Sequence, residues 1–248
     1  MSDSNQYTKV KPYQDDEAKT KQLSRMFNTI SGRYDQFNDI MSWGMARVWR
    51  KKALSSLKPF NPKQLLDIAT GTGDICIKAF EYLHPDYVTG VDISDKMMEV
   101  GREKIKQAKL ENKIHFEIQD CATLTFPDNS FDAVTISFGI RNFEKLDESL
   151  QQIHRVLKPE GHLLILEMNE PQKGFLLAAY KLYTSVFVRL TSKLLSTDSR
   201  AYDYLTSSMQ AFASGKDLIK ILKANGLSLV KYKSFTFGVC SMYLARKK

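Results

Sequence analysis

The sequence has few cysteines and no metal-binding pattern. Its three cysteines, Cys76, Cys121 and Cys240, lie far apart in a chain of 248 residues, and none forms a CxxC pair or a cluster with histidine. This spacing argues against a disulfide framework and against a zinc site. It favours a reducing compartment such as the cytoplasm, and we expect no metal cofactor.

Long apolar runs are also missing. No segment approaches the roughly 18 uninterrupted apolar residues that would indicate a transmembrane helix, and the longest apolar stretch, 175–190, carries Lys181 and Arg189. Residues 1–16 are polar and contain acids, unlike a secretory signal or a transit peptide. We therefore expect a cytoplasmic protein without a transmembrane helix.

Positive charge is in excess. Thirty-six Lys and Arg residues against 28 Asp and Glu residues give a net charge of +8. Such a charge fits a solvated basic surface, attraction to nucleic acid or attraction to an anionic membrane face, and it does not choose among them. The apolar fraction of 43% is ordinary for a globular protein.

Short apolar runs alternate with helical patterns between residues 64 and 168. Helical patterns fill the gaps between runs, and Leu146, Leu150 and Ile153 mark one face of the last of these helices. The runs are rich in Val, Ile and Leu and predict strands at 64–69, 87–92, 113–118, 131–137 and 162–167. This alternation predicts a Rossmann-like α/β fold, in which a mostly parallel sheet carries helices on both faces.

We predict one domain, 1–248, with three additions to this core. Residues 17–58 predict a helical lid with an aromatic-rich loop, and residues 171–212 predict a helical insertion that faces the substrate. Residues 216–246 predict a last helix and two strands. The short link Thr236-Phe-Gly238 between those strands is typical of a hairpin, which brings the sheet to seven strands with an antiparallel C-terminal strand.

A glycine-containing turn follows the first strand. Residues 66–74 read LDIATGTGD, and their glycines permit a tight turn and close approach of a ligand to the backbone. Ligands of open α/β sheets bind beyond the carboxyl ends of the strands. The string lacks the third glycine of the dinucleotide pattern, so by itself it is a weak signal.

Polar residues follow the next three strands. Asp92 ends the second strand, where a carboxylate accepts hydrogen bonds from a ribose diol; capping of the helix that begins near Ser94 is the alternative. Asp120 and Cys121 end the third strand, where an acidic side chain and a backbone N–H suit an adenine edge, although an ordinary polar turn has the same appearance. Ser137 ends the fourth strand and borders the same crevice.

Several strings resemble those of one known family. They are MFNTISGRYD at 26–35, MSWG at 41–44, GTGD at 71–74 and ISFGIRN at 136–142. Over about 21–247 the chain resembles the ubiquinone/menaquinone biosynthesis C-methyltransferase family, which belongs to the class I methyltransferases that use S-adenosylmethionine. The first two strings and the last are specific to this family, whereas many methyltransferases share GTGD.

The resemblance implies methylation of a ring carbon in a prenylated quinol, with S-adenosylmethionine as the co-substrate. We favour demethylmenaquinol over a ubiquinone precursor, because the chain is compact and has no organelle-import extension. Cys121 departs from the alanine that the family often has, so its backbone should matter more than its side chain. The implied cofactor-binding residues are Thr70, Gly71, Thr72, Gly73, Asp92, Ile93, Asp120, Cys121 and Ser137.

Methylation of a ring carbon sets the catalytic requirements. The carbon becomes nucleophilic when the neighbouring phenol loses its proton, so the enzyme needs a proton acceptor and a group that stabilises the phenolate. We assign phenolate stabilisation to Arg141, which stays protonated, and orientation of a water or substrate oxygen to Asn142. A water bound by Tyr34 or by a nearby acid, Asp35 or Asp39, would carry the proton away. A structural ion pair between Arg141 and a carboxylate is the alternative.

The apolar segment 175–190 raises the question of partners. We predict that it lines the path of an isoprenoid tail or contacts a membrane surface peripherally, aided by the basic charge; a core helix or a homodimer contact is the alternative. The main alternative function is a methyltransferase of the same fold that acts on nucleic acid, on protein or on another small molecule. We expect no nucleic acid partner, because residues 137–142 read SFGIRN where base methylation commonly uses an (Asn/Asp)-Pro-Pro-(Tyr/Phe) string. A non-catalytic scaffold is a second alternative, which the intact GTGD and Asp92 oppose.

Overall fold

A seven-stranded sheet organises the computed structural model, which describes residues 4–171, 174–183 and 199–248. The strands follow the order β3-β2-β1-β4-β5-β7-β6. Strand β7 pairs antiparallel with both neighbours, and the other pairs are parallel. The predicted mostly parallel sheet with an antiparallel C-terminal strand is therefore confirmed. The strands are β1 Gln64–Ile68, β2 Tyr87–Asp92, β3 Ile114–Ile118, β4 Phe131–Ser137, β5 Leu157–Met168, β6 Leu227–Phe235 and β7 Cys240–Lys247.

Helices cover both faces of the sheet, as parallel pairing requires. Successive residues of a strand point to opposite faces, so Leu65 and Leu66 in β1 join different apolar clusters. Leu66 packs in a cluster with α6, and Leu65 packs in a cluster with α3, α4 and α5. The helices are α1 Lys19–Ile30, α2 Tyr34–Met41, α3 Met45–Ser55, α4 Asp74–Leu83, α5 Asp95–Gln107, α6 Leu146–Val156, α7 Phe175–Tyr183, α8 Ser199–Ala211 and α9 Lys216–Ala224.

Three local features predicted from the sequence are present in the structure. Ser94 is the N-cap of α5, and its hydroxyl accepts a hydrogen bond from the Met97 N–H at 3.4 Å. Leu146, Leu150 and Ile153 are fully buried along one face of α6. The C-terminal hairpin turns at Thr236–Gly238 between β6 and β7.

The start of β5 was predicted wrongly. The strand begins at Leu157 rather than at residue 162, and the pairing with β4 shifts from Phe131 opposite Leu157 to Ala133 opposite His162. The intervening residues 158–161 form a bulge in which Glu160 has a φ of 64°. A Cβ at Gly161 would lie 2.8 Å from the Lys158 carbonyl oxygen, so the glycine permits this tight turn.

Segments outside the alternating core pack around it. Helices α1, α2 and α3 occupy residues 17–58, where the sequence predicts a helical lid. Of the predicted apolar segment 175–190, α7 accounts for Phe175–Tyr183, and the remainder lies outside the described residues. Within the described part of the chain, no helix combines the length and apolar character needed to cross a bilayer.

A buried carboxylate lies in the middle of β1. Asp67 is 2% exposed and accepts hydrogen bonds from the hydroxyls of Thr135 at 2.6 Å and Thr70 at 2.8 Å. Burial raises the pKa of Asp67 to about 6, although these hydrogen bonds act in the opposite direction. The Asp67 carboxyl group therefore joins β1 to β4 and to the turn that follows β1. Its ionised form lowers the stability of the folded state, because burial disfavours the charge.

We expect this cost to appear in the pH dependence of stability. Because the folded state holds the Asp67 proton more tightly than the unfolded state, Asp67 favours folding below pH 4, and this contribution is lost as pH rises through about 6. The free energy of unfolding of Asp67→Asn, measured in urea and taken relative to that of wild type, should rise by roughly 1 kcal/mol between pH 5 and pH 7. Asp128→Asn, at a side chain 70% exposed, is the control. Parallel pH profiles for wild type and Asp67→Asn would contradict the assignment.

Candidate active site

Two adjoining concavities open at the carboxyl edge of the parallel strands. The first, here called the cleft, has a volume of about 670 Å³ including its open mouth. The second, here called the apolar cavity, has a volume of about 1210 Å³ measured in the same way. Tyr34 and Phe138 line both of them. These two side chains therefore lie at the boundary between the concavities.

The ends of four strands supply much of the cleft wall. Parallel strands end at the same edge of a sheet, so residues far apart in the chain meet there. Helix α1 contributes Thr20 and Phe27, and α2 contributes Tyr34. The residues predicted from the sequence that line the cleft are Gly71, Asp92, Ile93, Asp120, Cys121, Ser137, Asn142 and Tyr34.

Asp92 connects the turn after β1 to the start of α5. Its carboxylate accepts hydrogen bonds from the N–H of Gly71 at 2.8 Å and of Ser94 at 2.9 Å. Burial raises the pKa of Asp92, while these backbone N–H groups act to lower it. An ionised carboxylate offers about four acceptor sites, so both oxygens retain capacity toward the cleft. Ser94 itself caps α5, so capping by Asp92, the alternative to a ligand role, is not what the structure has, although Asp92 does bind the Ser94 N–H.

Further polar groups surround the same space. The Asp120 carboxylate accepts from the Ala122 N–H at 2.9 Å and from the Thr20 hydroxyl at 3.4 Å. Cys121 is buried, and its thiol points to the Ser149 carbonyl oxygen at 3.8 Å. The Ser137 hydroxyl oxygen is buried and has no hydrogen-bond partner in the described part of the chain. A buried hydroxyl in a ligand cleft without a partner indicates a group that a ligand would satisfy.

Three predicted cofactor-binding residues lie in the turn 69–73 after β1, here called the GTG turn, and make their contacts away from the cleft. Thr70 donates to Asp67, and Thr72 donates to Asp35 at 2.6 Å. Gly73 has a φ of 76°, and a Cβ there would lie 2.8 Å from the Phe116 ring. None of the three lines the cleft. Their place in the structure is to shape the turn and to fix its surroundings.

Backbone strain is concentrated at the two central strand ends. Ala69, after β1, has a φ of 55°, and Phe138, after β4, has a φ of 62°. A bulky residue in this region is uncommon, and such strain tends to occur at functional sites. A Cβ at Gly139 would lie 2.5 Å from the Ala69 Cβ. The glycine therefore allows both strand ends to approach each other beneath the cleft.

A network of charges fastens α2 to the GTG turn. The Asp35 carboxylate accepts from the Thr72 hydroxyl and from the Lys104 ammonium at 2.9 Å. Lys104 also contacts Asp74 at 2.5 Å, and Asp74 pairs with the buried Arg50 at 3.0 Å. Burial raises the pKa of Asp74, but Arg50 and Lys104 more than offset it and hold that pKa below its ordinary value. We call this set of five residues the latch.

The apolar cavity contains a buried ion pair. Arg141 is 3% exposed, and its Nη1 donates to Glu167 Oε1 at 2.6 Å and to the Phe138 carbonyl oxygen at 2.8 Å. Its Nε donates to the Ser208 hydroxyl at 3.3 Å. Nη2 has no hydrogen-bond partner among residues 4–171, 174–183 and 199–248. Arg141 thus forms the structural ion pair that was the alternative prediction from sequence, with Glu167 as its partner. Its Nη2 group remains as a hydrogen-bond donor.

Neighbouring groups complete the boundary between the two concavities. Asn142 Oδ1 accepts from the Tyr204 hydroxyl at 2.9 Å, which fixes the direction of the amide. Burial raises the pKa of Tyr34, while a hydrogen bond with Asn38 and the charge of Arg141 act to lower it. The Tyr34 phenol therefore stays protonated at neutral pH and acts as a donor rather than as a base. The wall of the apolar cavity otherwise consists mostly of Met, Trp and other apolar side chains.

Comparison with known proteins identifies the family. The family model described as the ubiE/COQ5 methyltransferase family matches residues 15–247. A Bacteroides fragilis demethylmenaquinone methyltransferase is 45% identical over 239 residues, which cover 96% of this chain and 98% of the relative. The chain belongs to the ubiE/COQ5 methyltransferase family. The predicted membership is confirmed, and the chain is an S-adenosylmethionine-dependent methyltransferase.

More distant proteins agree with this result. A Pseudomonas putida ubiquinone/menaquinone biosynthesis C-methyltransferase UbiE is 36% identical over 93% of this chain and 91% of its own length. A solved S-adenosylmethionine-dependent methyltransferase from Thermotoga maritima, a possible histamine N-methyltransferase, superposes with a TM-score of 0.65. That superposition covers 91% of this chain and 100% of the other at 16% identity. It shows a shared fold.

Several residues at the methyltransferase site were not found from sequence. Glu167 and Phe138 flank Arg141, Tyr204 holds Asn142, and Thr20 and Phe27 come from α1. Glu167 had a usable signal, because an acid that ends a buried apolar strand needs a partner. Tyr204 had none, because it lies 62 positions beyond Asn142 in the chain and only the packed structure places it beside Asn142.

The latch predicts a role for Asp35 in this methyltransferase. In Asp35→Asn, Lys104 loses one of its two carboxylate partners, so α2 should cover the cleft less firmly. We expect S-adenosylmethionine to bind about threefold to tenfold more weakly in calorimetric titration, because the Asp35 side chain is 37% exposed and the pair is partly screened.

The matched control lies on the same helix. Asp39→Asn removes the same charge from α2, but Asp39 pairs with Arg47 on the exposed surface. Its cofactor affinity should equal that of wild type. Equal affinities for Asp35→Asn and Asp39→Asn would show that the latch does not contribute to cofactor binding.

Proposed function

We propose that this methyltransferase transfers a methyl group to a ring carbon of a prenylated naphthoquinol, converting demethylmenaquinol to menaquinol. The observation that carries this proposal is the junction of a polar cleft with an apolar cavity that contains the buried Arg141. The first concavity suits a polar nucleoside, and the second suits an apolar ring with one ionisable oxygen. The Bacteroides fragilis relative, a demethylmenaquinone methyltransferase, supports the same substrate.

The cleft residues fit S-adenosylmethionine. When bound, this co-substrate supplies an electrophilic methyl group on a sulfonium. Asp92 keeps acceptor capacity for two ribose hydroxyls, and Gly71 lets the ligand approach the backbone. Asp120 and the backbone N–H of Cys121 would bind the adenine edge. The buried Ser137 hydroxyl, which lacks a partner among the described residues, would gain one.

The GTG turn would act indirectly. Thr70, Thr72 and Gly73 do not line the cleft, and their contacts hold the turn against Asp67, Asp35 and the Phe116 ring. The turn would therefore present Gly71 and Asp92 in a fixed geometry. Such preorganisation limits the free energy spent on ordering the site when the ligand binds.

Arg141 would stabilise the phenolate of the substrate. Glu167 and the Phe138 carbonyl fix one edge of the guanidinium, and Nη2 is the donor that remains. Burial by itself lowers the pKa of Arg141, but Glu167 more than offsets this effect and holds the pKa above its ordinary value. The charge is therefore permanent, and in a dry cavity it favours the ionised form of a nearby phenol.

Asn142 and Tyr34 would handle the proton. Asn142 lines the cleft beside the boundary with the apolar cavity, and Tyr204 directs its amide. Tyr34 lines both concavities and stays protonated, so it would orient a water rather than remove the proton itself. In this scheme the water accepts the phenol proton and passes it to solvent. After the methyl group has moved from sulfur to the ring carbon, that carbon loses its own proton to the same water and the ring regains its aromatic form.

The ring type can be tested directly with labelled co-substrate. We expect the demethylated naphthoquinol to be methylated at least tenfold faster, as kcat/KM, than a benzoquinol that carries the same prenyl tail. The physical reason is that the large apolar cavity gains free energy from each additional buried ring carbon. Equal rates would indicate a dual-specificity enzyme. Failure to methylate either quinol, with cofactor binding intact, would refute the proposal.

Substitution of Arg141 separates catalysis from cofactor binding. Arg141→Ala should lower kcat by about a thousandfold or more, since it removes the phenolate stabiliser, while the affinity for S-adenosylmethionine stays within about twofold. The same change leaves Glu167 buried without its partner and should cost about 3–5 kcal/mol of unfolding free energy.

A second variant controls for this loss of stability. Arg141→Ala combined with Glu167→Gln removes the uncompensated charge and should recover part of the stability but none of the activity. Thermal denaturation and single-turnover methylation are the two measurements. Full activity in either variant would end the catalytic assignment of Arg141.

A further inference from the structure

Three large apolar side chains are exposed beside the apolar cavity. Phe237 is 80% exposed, Trp43 is 75% exposed and Leu182 is 66% exposed. They come from the β6–β7 turn, the α2–α3 turn and α7, which are remote from one another in the chain. Within the described side chains, these are the most exposed large apolar groups. We call the three residues the rim.

Each rim residue lines the apolar cavity or adjoins, in the chain, a residue that lines it. Trp43 lines the apolar cavity and donates from Nε1 to the Tyr183 hydroxyl at 3.2 Å, next to Leu182 in sequence. Phe237 follows Thr236, which also lines the cavity. The rim residues therefore come from the three elements that contribute Trp43, Tyr183 and Thr236 to the cavity wall. Leu182 and Phe237 do not line the cavity themselves.

The backbone holds two of these side chains outward under strain. Trp43 has a φ of 50° and Phe237 has a φ of 55°, and Thr236 before it has a φ of 46°. Bulky residues rarely adopt these conformations, and they persist where a function requires them. An exposed aromatic side chain on a strained backbone adds no stability to the protein in water. This combination indicates a surface that is covered when the protein works.

Charge favours a lipid surface over another protein as the cover. Lys181 adjoins Leu182 and is exposed, and Lys233 is exposed at the same end of the β6–β7 hairpin, with its ammonium 5.6 Å from the centroid of the Phe235 ring. The chain as a whole has a net charge of +8. Exposed aromatic residues with flanking lysines are typical of proteins that lie on anionic bilayers. A second copy seated on the rim would close the opening and bring like charges together.

We propose that Trp43, Leu182 and Phe237 dock this methyltransferase onto an anionic lipid bilayer, with the opening of the apolar cavity against the membrane. This inference rests on the proposed function, because a prenylated quinol resides in the bilayer. Docking lets the ring enter the cavity while its tail remains in lipid. Tail length then makes little difference to the protein, since the cavity receives the ring end only.

The two tryptophans allow a direct test on the full chain. Trp43 is 75% exposed, whereas Trp49, the other tryptophan, is 3% exposed. Vesicles of phosphatidylcholine and phosphatidylglycerol should therefore shift the emission of Trp43 to shorter wavelength. Added salt should weaken the binding, because lysines contribute to it. Vesicles of phosphatidylcholine alone should bind at least about threefold more weakly.

A double variant tests the rim without touching the cavity wall. Leu182→Ser combined with Phe237→Ser should weaken binding to the anionic vesicles by at least about tenfold, from the loss of buried apolar area. Its kcat/KM for a tail-less, water-soluble quinol should stay within about twofold of wild type. The control is Tyr87→Ser, an exposed aromatic residue at the amino end of β2, which is 52% exposed and lies at the opposite edge of the sheet. It should bind vesicles as wild type does.

Three results would overturn the proposal. They are the absence of wild-type binding to anionic vesicles, undiminished binding by the double variant, and a solution dimer that the double variant dissociates. The last result would assign the rim to a second copy of the chain. Failure of wild type to methylate the soluble quinol would count against the proposed function instead, because the vesicle measurements do not depend on turnover.

Discussion

The ion pair between Arg141 and Glu167 joins the parts of this protein that must act together. Glu167 lies near the end of β5, and Arg141 lies in the turn after β4, so the pair ties two central strands at the carboxyl edge. Arg141 also contacts α8 through Ser208. Two charges so deeply buried are costly to remove from water, and the cost is tolerable only because each finds several partners. The pair thereby fixes a cation at the boundary of the two concavities.

The polar and apolar halves of the site follow from this arrangement. On the cleft side, strand ends offer carboxylates and backbone N–H groups, which suit a nucleoside. On the cavity side, helices α2, α3, α7 and α8 contribute mostly apolar side chains. Tyr34 and Phe138 stand between the halves. The strained backbone at Ala69 and Phe138 lies where the cleft adjoins the apolar cavity. Direct transfer between two bound ligands requires such closeness.

The succession of strands and helices along the chain and the positions of the polar strand ends could be predicted from the sequence, since both depend on local patterns. Apolar runs, glycines and the Ser94 cap mark each element by itself. Parallel topology then places Asp92, Asp120 and Ser137 at one edge without further information. The start of β5 was missed because its bulge at 158–161 has the composition of a helix-ending loop, and only pairing with β4 identifies it as part of a strand.

Contacts between remote segments could not be predicted in this way. The partner of Arg141, the latch around Asp35 and the hold of Tyr204 on Asn142 each join residues separated by 26 to 69 positions. No local periodicity encodes such pairs. The contacts of the GTG turn also differ from residue to residue. Gly71 lines the cleft, whereas Thr72 contacts Asp35 and Gly73 packs against the Phe116 ring.

The sequence by itself determined the family, the α/β core and the set of candidate residues, because short sequence strings and strand–helix alternation are local features of the chain. Tertiary structure decided which candidates line the cleft, which pack behind it and where exposed apolar residues lie. The physical reason is that the burial and the charge partners of a residue depend on segments that are distant in the chain and meet only in the folded protein. Trp43, Leu182 and Phe237 are unremarkable as single residues, and they form one surface only when three distant elements meet beside the cavity.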